Sequence, residues 1–160
     1  MTVDDKITDS LTDSTLEKLE LEPPIEIPSG TPIFEAADNM GDNGFGCILV
    51  TEGGKLVGIF TERDVLLKIS VSDVDESRSV DDFMTKDPVT LRVTHKISDA
   101  VREMSSHGYR HLPIMDEENS KCVGILTAKK IIEFVVEFLP EQVYNLPPSL
   151  DQSMSTPEGG

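Results

Sequence analysis

Gly58-Ile59-Phe60-Thr61-Glu62-Arg63-Asp64 is the stretch whose residue types and spacing could do chemistry. It reads as an apolar strand running into a helix through Thr-x-x-Asp. A threonine at the helix start with a carboxylate three residues on is close to a capping box, which satisfies orphan backbone donors and contributes about 1 kcal/mol. The same geometry can also hold a ligand. A helix start offers N–H groups and the positive end of a dipole to a phosphate, the Thr61 hydroxyl can join them, and Asp64 can accept both hydroxyls of a ribose, as acidic residues do in other nucleotide folds. The motif recurs as Gly124-Ile125-Leu126-Thr127-Ala128-Lys129-Lys130. There the cap threonine is kept and the aspartate becomes Lys130. An ammonium only donates, so this copy has no ribose acceptor. A cation at that position also opposes the helix dipole.

The second constellation is Gly108-Tyr109-Arg110-His111-Leu112-Pro113-Ile114, where Arg110 and His111 open an apolar strand behind a helix-ending glycine. The corresponding residues of the first copy, Gly46 and Cys47, carry no charge. A surface ion pair for Arg110 and a half-buried, satisfied histidine would explain the pair blandly. The chain has only 14 lysines and arginines, however. Arg110, His111, Lys129 and Lys130 fall at two positions expected to face one cleft, and that concentration favours an anion site. Arg110 is the strongest phosphate candidate because its planar fork holds two oxygens at once. A histidine with the usual pKa near 6.5 would strengthen anion binding as the pH falls from about 8 to about 6. His95, His107 and His111 form no nucleophile–base arrangement with a placed serine or cysteine, so the chain does not read as an enzyme. Cys47 and Cys122 lie far apart without CxxC spacing, which argues against zinc or a disulfide framework. Each sits in an apolar run and reads as a small buried hydrophobe.

The elements that must position these groups come twice. Shifting the chain by 64 positions lays Pro24 on Pro88, Ile33 on Ile97, Met40 on Met104 and Gly44 on Gly108. Beyond a two-residue insertion, Gly58 falls on Gly124 and Thr61 on Thr127. Such a repeat is one supersecondary unit made twice, each copy with an apolar face it cannot bury alone. Each opens with a short helical turn, at Thr15–Leu19 and Ser79–Met84, with Thr15 and Ser79 as N-caps. Short extended runs follow at 25–27 and 89–91. Ile33, Ala36, Ala37 and Met40 then form an i, i+3, i+4, i+7 helical stripe that Ile97, Ala100, Val101 and Met104 repeat. Gly44 and Gly108 close these helices. Two strands come next, 47–51 and 56–60, then 111–115 and 122–126, and a last helix over 62–69 and 128–138. The expected fold is α+β with an α/β-like character: two β-α-β-β-α units, 15–70 and 79–138, packed together with pseudo-twofold symmetry. Residues 71–78 read as a linker, 1–13 as a disordered acidic tail, and 139–160 as a proline-rich, mostly disordered tail.

A net charge of −16 repels phosphate backbones and anionic lipid, so neither nucleic acid nor a membrane is an expected partner. There is no signal-peptide pattern and no apolar run long enough to span a bilayer, and the expected location is cytoplasmic.

The runs 56–64, 83–89 and 109–114, in the right order in both copies, resemble a pair of CBS domains, the regulatory tandem called a Bateman module. The resemblance covers residues 15–138. It implies repeats packed sheet to sheet, with two clefts between them that take adenine nucleotides such as AMP, ADP or ATP or, less expected here, S-adenosylmethionine, bound as regulatory ligands with no cofactor or metal. Carried over, one cleft joins Ile59, Thr61 and Asp64 to Pro88, Val89, Arg110, His111 and Lys129. The other, expected to be degenerate, joins Thr127 and Lys130 to Ile25 and Gly46. The resemblance further implies a homodimer formed through the helices, with Ile33, Ala37, Val101 or Met104 near its interface, and an effector protein that receives the signal. The competing reading is a ligand-free module for dimerisation or protein interaction.

Overall fold

The computed structural model describes residues 2–118 and 121–137; the 139–160 tail and Phe138 lie outside the described residues. Strands β1 (Glu26–Pro28), β2 (Cys47–Glu52) and β3 (Lys55–Thr61) belong to the first repeat. Strand β4 (Thr85–Lys86), from the start of the second repeat, completes their sheet in the order β1-β2-β3-β4. The second sheet is β5 (Leu91–Arg92), β6 (His111–Met115) and β7 (Cys122–Thr127). In both sheets the first pairing is parallel and the next antiparallel, so the two halves share one topology.

The crossing of β4 onto the first sheet has a counterpart. Glu22, from the start of the first repeat, pairs with Ile125 of β7. Each repeat thus lends its opening segment to the other's sheet edge. Both crossings run over a glycine: a Cβ on Gly58 would stand 2.2 Å from the Met84 sulfur, and one on Gly124 2.6 Å from the Leu21 Cβ.

Helix α2 (Ile33–Asn43) covers the first sheet and α4 (Ile97–His107) the second, because their apolar stripes face inward. Gly44 and Gly108 end them in the left-handed region, at φ 67° and 69°. One core gathers Ile33, Ala36, Met40, Phe60 and Val80, another Leu16, Ile97, Ala100, Leu112 and Leu126. A third layer joins Cys47, Leu49 and Ile59 to Met115, Cys122 and Ile125, and this is where the two sheets bury their inner faces against each other.

Three local expectations are corrected. The stretch 1–13 is not a disordered tail: Val3–Asp13 is helix α1, opened by a reciprocal Thr2–Asp5 capping box. Val3, Ile7 and Leu11 lie at i, i+4 and i+8 and are half-buried, and Leu11 packs on the second repeat's core. The acidic composition hid that stripe. Thr15 makes no side-chain cap bond, whereas Ser79 accepts from the Asp81 amide. The helix expected over 62–69 is a single α-turn, α3 (Glu62–Asp64), running on as the π-helical Val65–Ile69. Its counterpart α5 (Ala128–Val136) is regular.

Candidate functional site

A cavity of about 750 Å³ opens between the repeats. From the first repeat Ile59, Thr61 and Asp64 line it; from the second come Pro88, Val89, Arg110 and His111. Strand β3 ends at the cavity wall, so Thr61 and Asp64 sit where strand turns into helix. Arg110 and His111 enter from the other sheet because Gly108 ends α4 just before β6 begins.

Asp64 is buried, and both of its oxygens are engaged. Oδ2 accepts from the Thr61 amide and hydroxyl, each at 2.9 Å, and the Asp64 amide donates back to Thr61 Oγ1 at 3.4 Å. Oδ1 stands 2.7 Å from Lys68 Nζ. The capping box is therefore real and coexists with a place in the cavity wall. A carboxylate oxygen has more than one lone pair, so a diol can share these oxygens, but it joins an existing network.

The backbone donors at this helix start are largely spent. The Glu62 amide donates to Gly46 O at 3.1 Å and the Asp64 amide to Thr61. The second repeat does the same, with the Ala128 amide donating to Arg110 O at 3.0 Å. These amides are therefore engaged within the protein, against the expectation that they would be free to cradle a phosphate.

His111 is half-buried with its ring against Gly46; a Cβ there would lie 2.5 Å from Nε2. Burial lowers the His111 pKa below 6.5, with Arg110 acting in the same direction and Glu22 and Glu62 opposing. Its protonation therefore moves to lower pH than the sequence led us to expect. Burial pushes the Cys47 thiol up to about 12, the protonated state of a small hydrophobe rather than of a nucleophile.

Two expected placements are corrected. Lys129 is not in the cavity wall: its side chain is 80% exposed and reaches Glu133 at 3.9 Å. Gly46, expected in the other cleft, lines this one, because the His111 ring at the start of β6 lies against it. Of the remaining residues of the second cleft, Thr127 is buried as the cap of α5, accepting from the Lys130 amide. Ile25 packs on the first core and accepts from the Leu49 amide. Lys130 Nζ lies 3.1 Å from Glu20 and 3.2 Å from Glu133, so an internal ion pair stands where the first cleft has a carboxylate. These contacts hold the Lys130 pKa above its usual value, the Glu20 bond first.

Sequence reasoning missed three contributors. Arg63 lines the cavity from a position that the Thr-x-x-Asp motif leaves open. His107 and Tyr109 form a stacked pair at the wall, ring centroids 5.0 Å apart and nearly parallel. Their spacing across a helix-ending glycine carries no periodic signal. The dimer candidates are also revised: Ile33 is fully buried inside its own chain, while the exposed large apolar residues include Leu66, Leu67, Val71, Ile132 and Val136.

A doubled β-α-β-β-α unit with a cleft of this kind defines a class, and the comparisons agree with it. The CBS domain family matches residues 17–71 and 80–137, and the chain belongs to that family. It is 33% identical over 106 residues to an uncharacterised 17.7 kDa protein of Acidianus ambivalens, a match covering 66% of this chain and 63% of that protein. Matches to two further relatives cover 39% and 57% of those proteins, so the chain spans less than two thirds of the length of these relatives. Among solved structures, the CBS domain pair of protein MJ0100, in complex with 5′-methylthioadenosine and S-adenosyl-L-methionine, superposes with a TM-score of 0.67 at 22% identity, covering 78% of this chain and 97% of that one. CBSX2 in complex with AMP superposes with a TM-score of 0.63 at 23% identity, covering 77% and 96%. Among the described residues no helix is long and apolar enough to cross a membrane.

Proposed function

We propose that this CBS pair is a regulatory module that binds one adenine nucleotide in the Asp64 cleft and passes the signal to another protein through the geometry of a homodimer. The observation that carries the reading is the charge of the cavity. Arg63 and Arg110 line it, and among the described residues neither has a carboxylate within salt-bridge distance, in a chain of net charge −16. Thr61 and Asp64 supply hydroxyl and carboxylate groups for a ribose, Pro88 and Val89 an apolar edge for a base, and the arginines a counter-charge for phosphate. The AMP complex of CBSX2 supports an adenine nucleotide. S-adenosylmethionine, with a sulfonium cation and no phosphate, fits two unpaired arginines poorly.

A thermal-shift series with AMP, ADP, ATP, NADH and S-adenosylmethionine tests this. A nucleotide at 100 times its dissociation constant adds about 2.7 kcal/mol of apparent stability. No shift with any of them at millimolar concentration would favour the second reading, a ligand-free interaction module. That reading draws on the Lys130–Glu20 pair in the other cleft and on exposed Leu66 and Ile132, which occupy equivalent positions in the two repeats.

A further inference from the structure

Building on the adenine-nucleotide reading, we propose that Lys68 is a positioning residue for ribose recognition. It fixes the Asp64 oxygen that receives a sugar hydroxyl and ties that oxygen to the segment carrying the opposite wall of the cleft. Lys68 follows Asp64 by four residues, and its Nζ stands 2.7 Å from Asp64 Oδ1. The same ammonium donates to the carbonyl of Phe83, the residue that ends the opening turn of the second repeat. Lys68 is not among the residues that line the cavity. It therefore holds the carboxylate without standing in the ligand's place.

Three observations carry the assignment. The first is how the two carboxylate oxygens are used. Oδ2 already accepts twice, from the Thr61 amide and hydroxyl. Among the described residues Oδ1 accepts only from Lys68, so Oδ1 is the oxygen with room for a ligand, and the lysine bonded to it sets where it points. The second is charge. Asp64 is buried, and a buried carboxylate is costly unless it is paired. Lys68 is the one cation paired with it among the described residues. Without that cation the group is driven toward its neutral form, a donor where a sugar hydroxyl needs an acceptor. The third comes from the doubling. Asp64 and Lys68 are replaced together in the second repeat, by Lys130 and Phe134, and Phe134 packs on that repeat's core. The carboxylate and its lysine are present in one repeat and absent from the other as a unit.

The bond to Phe83 extends this role across the cleft. Phe83 is followed by Met84, whose side chain passes over Gly58, and then by Thr85, Pro88 and Val89 on the cavity wall. One ammonium thus spans the sugar acceptor of the first repeat and the base of the segment that brings the apolar edge from the second.

Calorimetric titration of AMP and its 2′,3′-dideoxy analogue tests the assignment. The proteins are the wild type, Lys68→Met, Lys68→Arg, Asp64→Asn and the double variant Lys68→Met with Asp64→Asn. The ratio of the two affinities within each protein isolates the sugar hydroxyls, so a general loss of packing cancels. Lys68→Met is expected to weaken AMP about tenfold while the dideoxy analogue stays within about twofold of its wild-type affinity. Lys68→Arg keeps a cation beside Oδ1 and should restore most of the AMP affinity. In the Asp64→Asn background, Lys68→Met should change neither affinity further, because the two residues act as one. An equal loss of both ligands in Lys68→Met overturns the proposal and makes the lysine a purely structural tie. Unchanged AMP binding overturns it too, and tighter AMP binding would show that Lys68 competes with the sugar for Oδ1. Each of these results leaves the nucleotide reading standing. A wild type that binds neither ligand overturns both.

Discussion

Asp64 closes a capping box and faces the cavity at once, and its two roles can be separated. Asp64→Ala is expected to weaken nucleotide binding by about 1.5–3 kcal/mol, the worth of hydrogen bonds to a charged group. It should also lower stability by about 1 kcal/mol through the lost cap. Asn caps nearly as well but accepts a diol poorly, so Asp64→Asn should lose affinity and keep most of the stability. Titration calorimetry beside chemical denaturation reads both, and full affinity in Asp64→Asn would reduce Asp64 to a cap. His111 makes a second prediction. Its pKa in the free protein lies below 6.5, so the imidazole is neutral at pH 7. An anionic ligand favours the protonated ring and raises its pKa in the complex, so affinity should rise as the pH falls and go on rising below 6.5, levelling off only below the lowered pKa of the free protein. His111→Gln should abolish the rise; a wild-type rise complete by pH 7 would contradict the lowered pKa. The same depressed pKa means the unfolded chain takes up a proton that the folded one resists. His111 therefore costs the unliganded protein stability as the pH falls below 6.5.

The crossing segments are the element on which the cleft depends, since they bring Thr85, Pro88 and Val89 beside β3. The two glycines beneath them are not equivalent. A Cβ on Gly58 would meet only the flexible Met84 side chain, whereas one on Gly124 would meet Leu21 Cβ and, at 3.2 Å, the Glu22 carbonyl. Gly124→Ala is therefore expected to destabilise by about 1–3 kcal/mol, the range for overpacking, and Gly58→Ala by less, because Met84 can swing aside. Denaturant midpoints of the two variants compare them, and a larger loss at Gly58 would contradict this account. The helices after Thr61 and Thr127 also differ. The π-helical turn at Val65–Ile69 follows Asp64 directly, and such turns occur often at functional sites. The capping threonines announced both helix starts in the sequence. The π-turn was not legible, because no residue type over Val65–Ile69 marks the wider bond from the Ser70 amide to the Val65 carbonyl.

At the scale of the whole molecule, the doubling predicts two clefts, and their equivalent side chains differ: Asp64 lines the first, whereas Lys130 pairs with Glu20. We expect one nucleotide per chain by calorimetry. Two equivalent sites would mean that the Lys130–Glu20 pair yields to a ligand. The exposed Leu66 and Ile132 lie at equivalent positions of the two repeats, so a second copy could cover both with one symmetric contact. We therefore predict a homodimer by light scattering at tens of micromolar, which Leu66→Glu with Ile132→Glu converts to monomer. A wild-type monomer mass under those conditions would remove the dimer from the proposal.

The sequence by itself determined the doubling, the order of the elements, the glycine ends of α2 and α4, and the packing of one repeat on the other. All of these follow from local periodicity and from apolar faces that one repeat cannot bury. It also marked Thr61, Asp64, Arg110 and His111 as charged or polar groups at element ends. Only the tertiary structure decided which of them share a wall. Lys129 and Arg63 occupy equivalent positions, yet one turns to a glutamate on its own helix and the other crosses to the opposite repeat. Gly46 lines the Asp64 cleft and not the other one because the His111 ring of the opposite repeat lies against it. Helix α1 formed on a tail whose composition suggested disorder, because the second repeat's core gave Leu11 a place to pack. Side-chain direction and long-range pairing depend on neighbours distant in the chain, and residue types at fixed spacing do not encode them.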